Sequence, residues 1–432
     1  MKNRKAAADA AYAKPLYRGY VLTVLIILYA FNFIDRQLLV ILQELIKEDL
    51  GLSDTQLGLL SGFTFALFYV VCGIPIARWA DRGSRRNIIS LAIVIWSAMT
   101  AVSGLAQNFV HILLARIGVG VGEAGASPPA HSMISDIFKP EQRATALSLY
   151  SMGLYVGILG GFMLGGWVGQ YYGWRMAFMV VGLPGVLLAV LVMLTVKEPS
   201  RGWSENIAVS DEPPPPFQEV LNLLWSRKAF RHLAFACGLQ AMVSYSLASW
   251  LPSFFLRSTD ITIGELGTWL GLAAGIGGGL GTLCGGLLSD RMGQKDPRWY
   301  LWIPAIGLLA ALPITLYILA FADLMLALML NFASIFLGSM YLGPVIATTH
   351  SMVGVRMRAL ASAMLFFVLN LVGLGMGPTL VGILSDAMAG TYGIASLGYA
   401  LLIVATGATL LACTHYLLAT RYLKSDFANA PA

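Results

Sequence analysis

Apolar runs of about twenty residues recur from one end of this 432-residue chain to the other, and each is long enough to cross a bilayer as a helix. That feature leaves few folds open. In hydrocarbon every backbone N–H and C=O must be satisfied internally, so a spanning chain is either helical or a closed barrel. Runs of this length are helical in reach, since a barrel strand needs only about ten residues. Fragments such as Val186–Val196 and Ala400–Cys413 contain no charge. Charged residues make up 12% of the chain, against the roughly 25% usual in a soluble domain.

The runs predict spans at 17–43, 53–79, 87–106, 110–135, 142–169, 175–196, 230–256, 264–289, 300–321, 325–354, 359–387 and 392–422. Twelve spans put both termini on one side. The distribution of basic residues supports that number, because loops on the cytoplasmic side collect Lys and Arg. With the N-terminus inside, 23 of the 28 fall in cytoplasmic segments, among them Arg82, Arg85, Arg86, Arg227, Lys228, Arg231 and Arg291. Only Lys47, Arg175 and Arg257 fall outside, and Arg36 and Arg116 lie within spans. One span too many or too few would scramble this alternation. The expected location is a bacterial inner membrane with both termini cytoplasmic. The first run is too long for a signal-peptide core and is expected to stay as a helix.

The longest polar stretch, Lys197 to Phe217, contains Pro213-Pro214-Pro215-Pro216, which favours extended backbone. It divides the chain into a six-helix bundle at 17–196, a cytoplasmic linker at 197–229 and a second six-helix bundle at 230–422. The halves repeat. Ala77-Arg-Trp-Ala-Asp81-Arg82-Gly-Ser84-Arg85-Arg86 follows span two, and Gly286-Leu-Leu-Ser-Asp290-Arg291-Met-Gly293-Gln-Lys295 follows span eight. The same offset aligns Leu57-Gly58 with Leu266-Gly267 and Gly62 with Gly271.

The Asp-Arg-x-x-Arg-Arg loop resembles the signature loop of the major facilitator superfamily, with Ala77 and Ser84 standing where Gly is usual. Arg116-Ile-Gly-Val-Gly120-Val-Gly122-Glu123-Ala resembles its span-four motif. The Gly153, Gly157, Gly161 and Gly165 ladder resembles its span-five motif, with Gly373-Leu-Gly375-Met-Gly377-Pro378 as the span-eleven counterpart. The resemblance implies an all-α membrane protein whose two halves are related by a pseudo-twofold axis along the membrane normal. Small residues four apart also let helices approach closely, whatever else they do.

Four ionisable residues lie deep in spans: Asp35 and Arg36 in span one, Arg116 and Glu123 in span four. Unpaired, each would cost roughly 2.5–3.5 kcal/mol, so they must be paired or hydrated. Asp35 and Arg116 have matching depths, about 10–12 Å from the outer end at 1.5 Å per residue. Asp35 and Arg36 point about 100° apart, so one can meet span four while the other faces a cavity. Glu123 shares a face with Arg116 and lies about 10 Å deeper. Guanidinium forks suit carboxylate or phosphate. A solute anion that takes an Arg away from a carboxylate favours protonation of that carboxylate, which couples a proton to a solute without covalent chemistry. Asp35 and Glu123 are therefore the candidate proton carriers, and Arg36 and Arg116 the candidate anion ligands.

Asn32-Phe-Ile-Asp35-Arg36, Arg116 with Gly120-Val-Gly122-Glu123-Ala, and Lys197-Glu198-Pro199-Ser-Arg201-Gly202 together resemble the Spinster family, whose members move lysophospholipids and sphingosine-1-phosphate, some coupled to protons. The resemblance implies coupling and recognition roles for Asp35, Arg36, Arg116 and Glu123. Organic-anion:proton symporters of the same superfamily carry similar elements, so a small anion is the alternative substrate. Asn32 completes the first-half contacts. Tyr245, His350 and Asn370 are the candidate contacts in the second half, whose span centres are neutral and rich in aromatics. Such a pairing of a charged half with a neutral one suits an amphiphile with one charged end. Asp81, Arg82, Arg85, Asp290 and Arg291 in the repeated loops are candidate gating residues. Asp136 joins them, placed to pair with Arg82 or Arg85.

Other classes are poorly supported. Gly120-Val-Gly122-Glu-Ala-Gly125 fits GxGxxG, but it lies in a span without the strand that dinucleotide binding needs. No phosphate-binding GxxxxGK[ST] loop, HExxH or GxSxG occurs, which speaks against ATP drive and against an enzyme. Cys72, Cys237, Cys284 and Cys413 sit singly in apolar runs and predict reduced, buried thiols. The net charge of +6 is spread over alternate loops rather than gathered as nucleic-acid binding requires. The expected partners are the anionic solute, protons and membrane lipids, with no metal or cofactor and a monomeric chain.

Overall fold

A computed structural model of the protein describes residues 9–204, 216–320, 323–354 and 357–429, without the side chains of Asp81, Pro140, Ala144 and Ala359. Pro213 to Pro215 of the linker, and the basic residues Lys2, Arg4, Lys5 and Arg356, lie outside the described residues. Among the described residues every regular element is a helix. They are α1 (Pro15–Leu50), α2 (Asp54–Gly58 and Thr64–Arg82, joined by a π turn at Leu59–Phe63), α3 (Arg85–Ser103), α4 (Phe109–Glu123) and α5 (Ser127–Ile137). The continuous stretch Pro140–Thr195 leaves helical geometry at Gly173 (φ 80°, ψ 163°), so it is two helices, α6 (140–172) and α7 (174–195). Then follow α8 (Phe217–Ser226), α9 (Lys228–Ser258), α10 (Ile263–Leu272 and Gly278–Gly293 with a π turn between), α11 (Trp299–Ala320), α12 (Leu324–Gly338) and α13 (Leu342–His350). The last two are α14 (Arg358–Val368 and Gly377–Tyr392, joined by π geometry at Leu369–Met376) and α15 (Ser396–Ala428).

With α4 and α5 forming one span, α12 and α13 another, and α8 set aside, these are twelve spans. Two of them are broken where the sequence predicts continuous helix. α4 ends at Glu123 because Pro128 and Pro129 follow, and proline cannot continue the ladder of its predecessor. α12 ends at Gly338, with Pro344 in the first turn of α13. The α12 break frees carbonyls that side chains then satisfy: Gln240 Nε2 donates to Gly338 O at 3.1 Å, and Thr282 Oγ1 to Ser339 O at 3.3 Å. Gln240 is itself held by Tyr416 Oη at 2.6 Å. Helix α8 begins at Phe217, within the linker expected at 197–229.

The repeat is visible in local structure. α2 starts with a capping box, Ser53 and Gln56, and α10 starts with another, Thr262 and Glu265, at the same 209-residue offset as the loops. α4 is capped by Asn108 and α12 by Asp323, and both helices break sixteen residues after their caps.

The described residues fall into two compact units, one from Met1–Leu50 with Leu67–Glu212, the other from Gly51–Ala66 with Pro213–Ala432. The first part of α2, up to Ala66, thus belongs with the second unit. In the first unit α1 lies against α6 at backbone distance. A Cβ added to Gly153 would stand 2.7 Å from Ile26 O, and one on Gly161 would stand 2.8 Å from Ile34 O. No side chain fits there, which is why the ladder is glycine. In the second unit Gly377 of α14 meets Met242 O of α9 in the same way, at 2.9 Å. Span one on span five and span seven on span eleven are equivalent pairs.

Candidate functional site

Span one brings three polar residues to the side of α1 that faces α4, since Asn32, Asp35 and Arg36 are spaced i, i+3 and i+4. Arg36 Nε donates to Glu123 Oε2 at 2.6 Å, and Asn32 lies beside the same carboxylate. Arg116 faces Asp35 Oδ1 at 3.9 Å, while Thr100 Oγ1 of α3 donates to Asp35 Oδ2. Asp35, Arg116 and Glu123 are all buried, at 1%, 2% and 1% exposure. Two ion pairs therefore bridge α1 and α4, and both members of the Asp35–Arg36 dipeptide take part. Both members meet span four because a guanidinium arm is long enough to wrap from the flank of α1 to Glu123, and Asp35 also lines a crevice.

The local fold explains why Glu123 needs that arm. It is the last residue of α4, where freed carbonyls carry partial negative charge. A carboxylate at that end is doubly disfavoured in a dry setting unless a cation answers it. Asp35 is enclosed differently, in a crevice walled by Phe31, Trp96, Ser97, Thr100, Val181 and Gly182. Arg36 is the most accessible of the four charges, with 15% of its side chain exposed. It lies 4.8 Å from the Phe33 ring and 5.0 Å from the Tyr69 ring. From Phe33 the aromatics continue through Tyr29 (5.2 Å) to Tyr150 (4.5 Å, stacked) and His131 (5.2 Å). Sequence reasoning placed the aromatic surface in the second half, but the first unit has its own beside the charges. Tyr29, Tyr69, Thr100 and Tyr150 carry no local signal and emerge only from the packing of α1, α2, α3 and α6.

The second-half candidates are held separately. His350 Nε2 meets Ser362 Oγ at 2.6 Å, joining α13 to α14. Asn370 turns its Nδ2 back to Phe366 O at 2.8 Å, within the π segment. Tyr245 packs against the apolar core of its unit.

The gating candidates resolve into one tight cluster and several loose groups. Arg85, fully buried, pairs with Asp136 and not through Arg82. It also donates to Glu198 Oε1 (2.8 Å), Ser132 Oγ (2.9 Å) and Pro199 O (2.9 Å). Glu198 Oε2 accepts from Ser84 Oγ at 2.9 Å and from the Arg86 N–H at 2.8 Å, so Ser84 has a partner that glycine would lack. Arg201 Nη2 caps the end of α2 through Ala80 O at 2.8 Å. The Lys197-to-Gly202 segment is thereby clamped onto the loop between α2 and α3. In the second unit Asp290 accepts from Tyr300 Oη at 2.8 Å, a hydroxyl in the first turn of α11. Arg82 and Arg291 are exposed, and the side chain of Asp81 lies outside what is described. In the loop between α10 and α11, the Arg298 N–H at 3.0 Å, aided by the charges of Arg298 and Lys424, holds the Asp296 carboxyl below its usual range.

A third charged group was not anticipated. Asp54, at the start of α2, takes both Nη atoms of Arg257 at 2.8 and 2.7 Å and the Ser385 hydroxyl at 2.6 Å. Asp386 of α14 accepts from the Asp54 and Thr55 N–H groups at 3.1 and 2.7 Å, capping α2 from another helix. The Ser53–Gln56 box is local, whereas this second cap comes from 332 residues away.

The sequence profile of the Major Facilitator Superfamily matches residues 25–378. The chain is 31% identical over 393 residues to Protein spinster homolog 1 of Xenopus tropicalis, covering 86% of this chain and 74% of that one. The chain belongs to the Spinster family of the Major Facilitator Superfamily. This Spinster-family chain is also 34% identical over 432 residues to an MFS-type efflux pump of Mycolicibacterium smegmatis, covering 99% of each. Among solved structures it is similar to a bacterial homolog of the human lysosomal transporter Spinster in an inward-facing, unoccupied conformation. The TM-score there is 0.87 at 32% identity, over 96% of this chain and 99% of that one. A hexuronate transporter of Bacillus subtilis matches at 29% over 285 residues, 64% of this chain and 66% of that one. The protein is an integral membrane transporter of a small-molecule solute, not an enzyme.

Proposed function

We propose that the protein is a proton-coupled secondary transporter of an anionic amphiphile of the lysophospholipid or sphingosine-1-phosphate kind, working by alternating access of the bundles at 17–196 and 230–422. The observation that carries this reading is the Arg36–Glu123 pair beside an aromatic surface. Arg36 is reachable, and its fork is shaped for a phosphate. When a phosphate takes the guanidinium, Glu123 is left buried at a helix C-terminus with its charge unanswered, and protonation relieves it. Asp35 and Arg116 repeat the arrangement one layer away. Phe33, Tyr29, Tyr69 and Tyr150 offer apolar area next to the head-group site, as an acyl or sphingoid chain needs. Asn32, Tyr245, His350 and Asn370 complete the proposed contacts. Asp81, Arg82, Arg85, Asp136, Asp290 and Arg291 are assigned to gating at the basic ends of the helices, on the cytoplasmic face of a bacterial inner membrane.

A small organic anion is the second reading, favoured by the similarity to the hexuronate transporter and to a galactarate/D-glucarate transporter of Bacillus subtilis (27% over 321 residues). Uptake into proteoliposomes separates the two. Labelled lysophospholipid and sphingosine-1-phosphate are compared with hexuronate and glucarate under an imposed pH gradient. Gradient-stimulated amphiphile uptake with no response to the sugar acids is expected. Uptake of the sugar acids alone overturns the amphiphile assignment.

A further inference from the structure

α8 has more apolar surface than the described residues cover. Around its axis at 100° per residue, Val220 and Leu224 form the centre of the apolar arc, and both are completely buried. Phe217, Leu221 and Trp225, spaced i, i+4 and i+8, form the adjoining edge of that arc. Phe217 and Trp225 are 54% and 58% exposed, and Leu221 is partly so. Gln218, Glu219, Asn222 and Ser226 occupy the remaining side, Gln218, Glu219, Asn222 and Ser226 all being exposed. The helix is thus three-sided: one side to the protein core, one polar, and one aromatic with no covering element among the described residues.

Charge indicates what covers the third side. Arg227, Lys228 and Arg231 follow directly, where α8 passes into the membrane span α9. Lys228 Nζ lies 5.3 Å from the Tyr422 ring at the foot of α15. Further up α9 the surface is already apolar and open, with Phe235 48% exposed. The uncovered edge therefore continues the lipid-facing surface of a membrane protein and ends in cations, at the level where Trp and basic side chains favour the bilayer interface.

We infer that α8 docks in the bilayer interface, with Phe217, Leu221 and Trp225 inserted below the head groups and Arg227, Lys228 and Arg231 holding anionic phospholipid. Each basic side chain near an anionic surface changes the docked-to-undocked ratio by roughly fivefold, so docking deepens with anionic lipid content. This does not depend on which solute is carried.

The test uses the full chain in nanodiscs with its four native cysteines replaced, spin-labelled at Trp225→Cys, Leu221→Cys or Asn222→Cys. Collision with oxygen and with a water-soluble nickel chelate reports depth. Positions 225 and 221 are expected to favour oxygen and 222 the chelate, and the contrast is expected to grow when phosphatidylglycerol is added to phosphatidylcholine. Lys228→Gln with Arg231→Gln is expected to remove that growth. Chelate access at 221 and 225 equal to that at 222 overturns the proposal. So does strong immobilisation with access to neither reagent, because protein then covers the face. Indifference to phosphatidylglycerol overturns the role given to the cations.

Discussion

Replacing Glu123 by Gln leaves the Arg36 guanidinium facing a neutral amide. Breaking a buried ion pair by removing one member costs about 3–5 kcal/mol. The full figure is too large here, because Arg36 keeps 15% of its side chain accessible and retains the Phe33 and Tyr69 rings at 4.8 and 5.0 Å. A cation–aromatic contact offsets about 0.5–2 kcal/mol. The expected loss for Glu123→Gln is therefore about 1–4 kcal/mol. Arg36→Gln strands the carboxylate, whose side chain has no exposure, and is expected to cost more. With both changes neither charge is stranded, so the double variant is expected to be more stable than the sum of the single effects by about 2 kcal/mol or more. Mixed-micelle denaturation of the four proteins measures the coupling. Additivity within about 0.5 kcal/mol would refute the pairing on which the mechanism rests.

The remaining expectations concern architecture. Gly161→Ala is expected to lower the unfolding temperature at a cost of about 1–3 kcal/mol, because its Cβ would stand 2.8 Å from Ile34 O; Gly160→Ala, whose Cβ would stand 3.6 Å from Ile34 Cδ1, is expected to be near neutral in the same scan. Arg85→Lys replaces a fork by a point charge and leaves several partners short of a donor, at about 1–3 kcal/mol each; proteolysis near Lys197 is expected to accelerate. Asp386→Ala removes a cap from α2 and is expected to cost about 0.5–2 kcal/mol in denaturant unfolding.

How far the sequence reaches can be judged from particular residues. The twelve spans were legible because run length and loop charge are local properties that check one another. The breaks after Glu123 and Gly338 were signalled by Pro128, Pro129 and Pro344, yet apolar periodicity continues through them and hides the gap. The membership of the charge cluster was legible, since an intramembrane charge is conspicuous. Its wiring was not, because pairing depends on rotamers and on α3, which supplies Thr100 from 65 residues away. Arg85–Asp136 was one of two stated options, and the choice between Arg82 and Arg85 rests on burial that no pattern predicts. The Asp54–Arg257–Asp386 group links residues up to 332 apart, and nothing in the neighbourhood of any of them announces the others.

The central claim is that solute and proton meet at Arg36 and Glu123. It is tested most directly by proteoliposomes filled with a pH-sensitive dye, to which lysophospholipid is added without an imposed gradient. The account predicts a solute-dependent pH change for the wild type and none for Glu123→Gln, with lysophospholipid binding retained. An equal pH change in both proteins, or solute movement with no pH change in either, would contradict it.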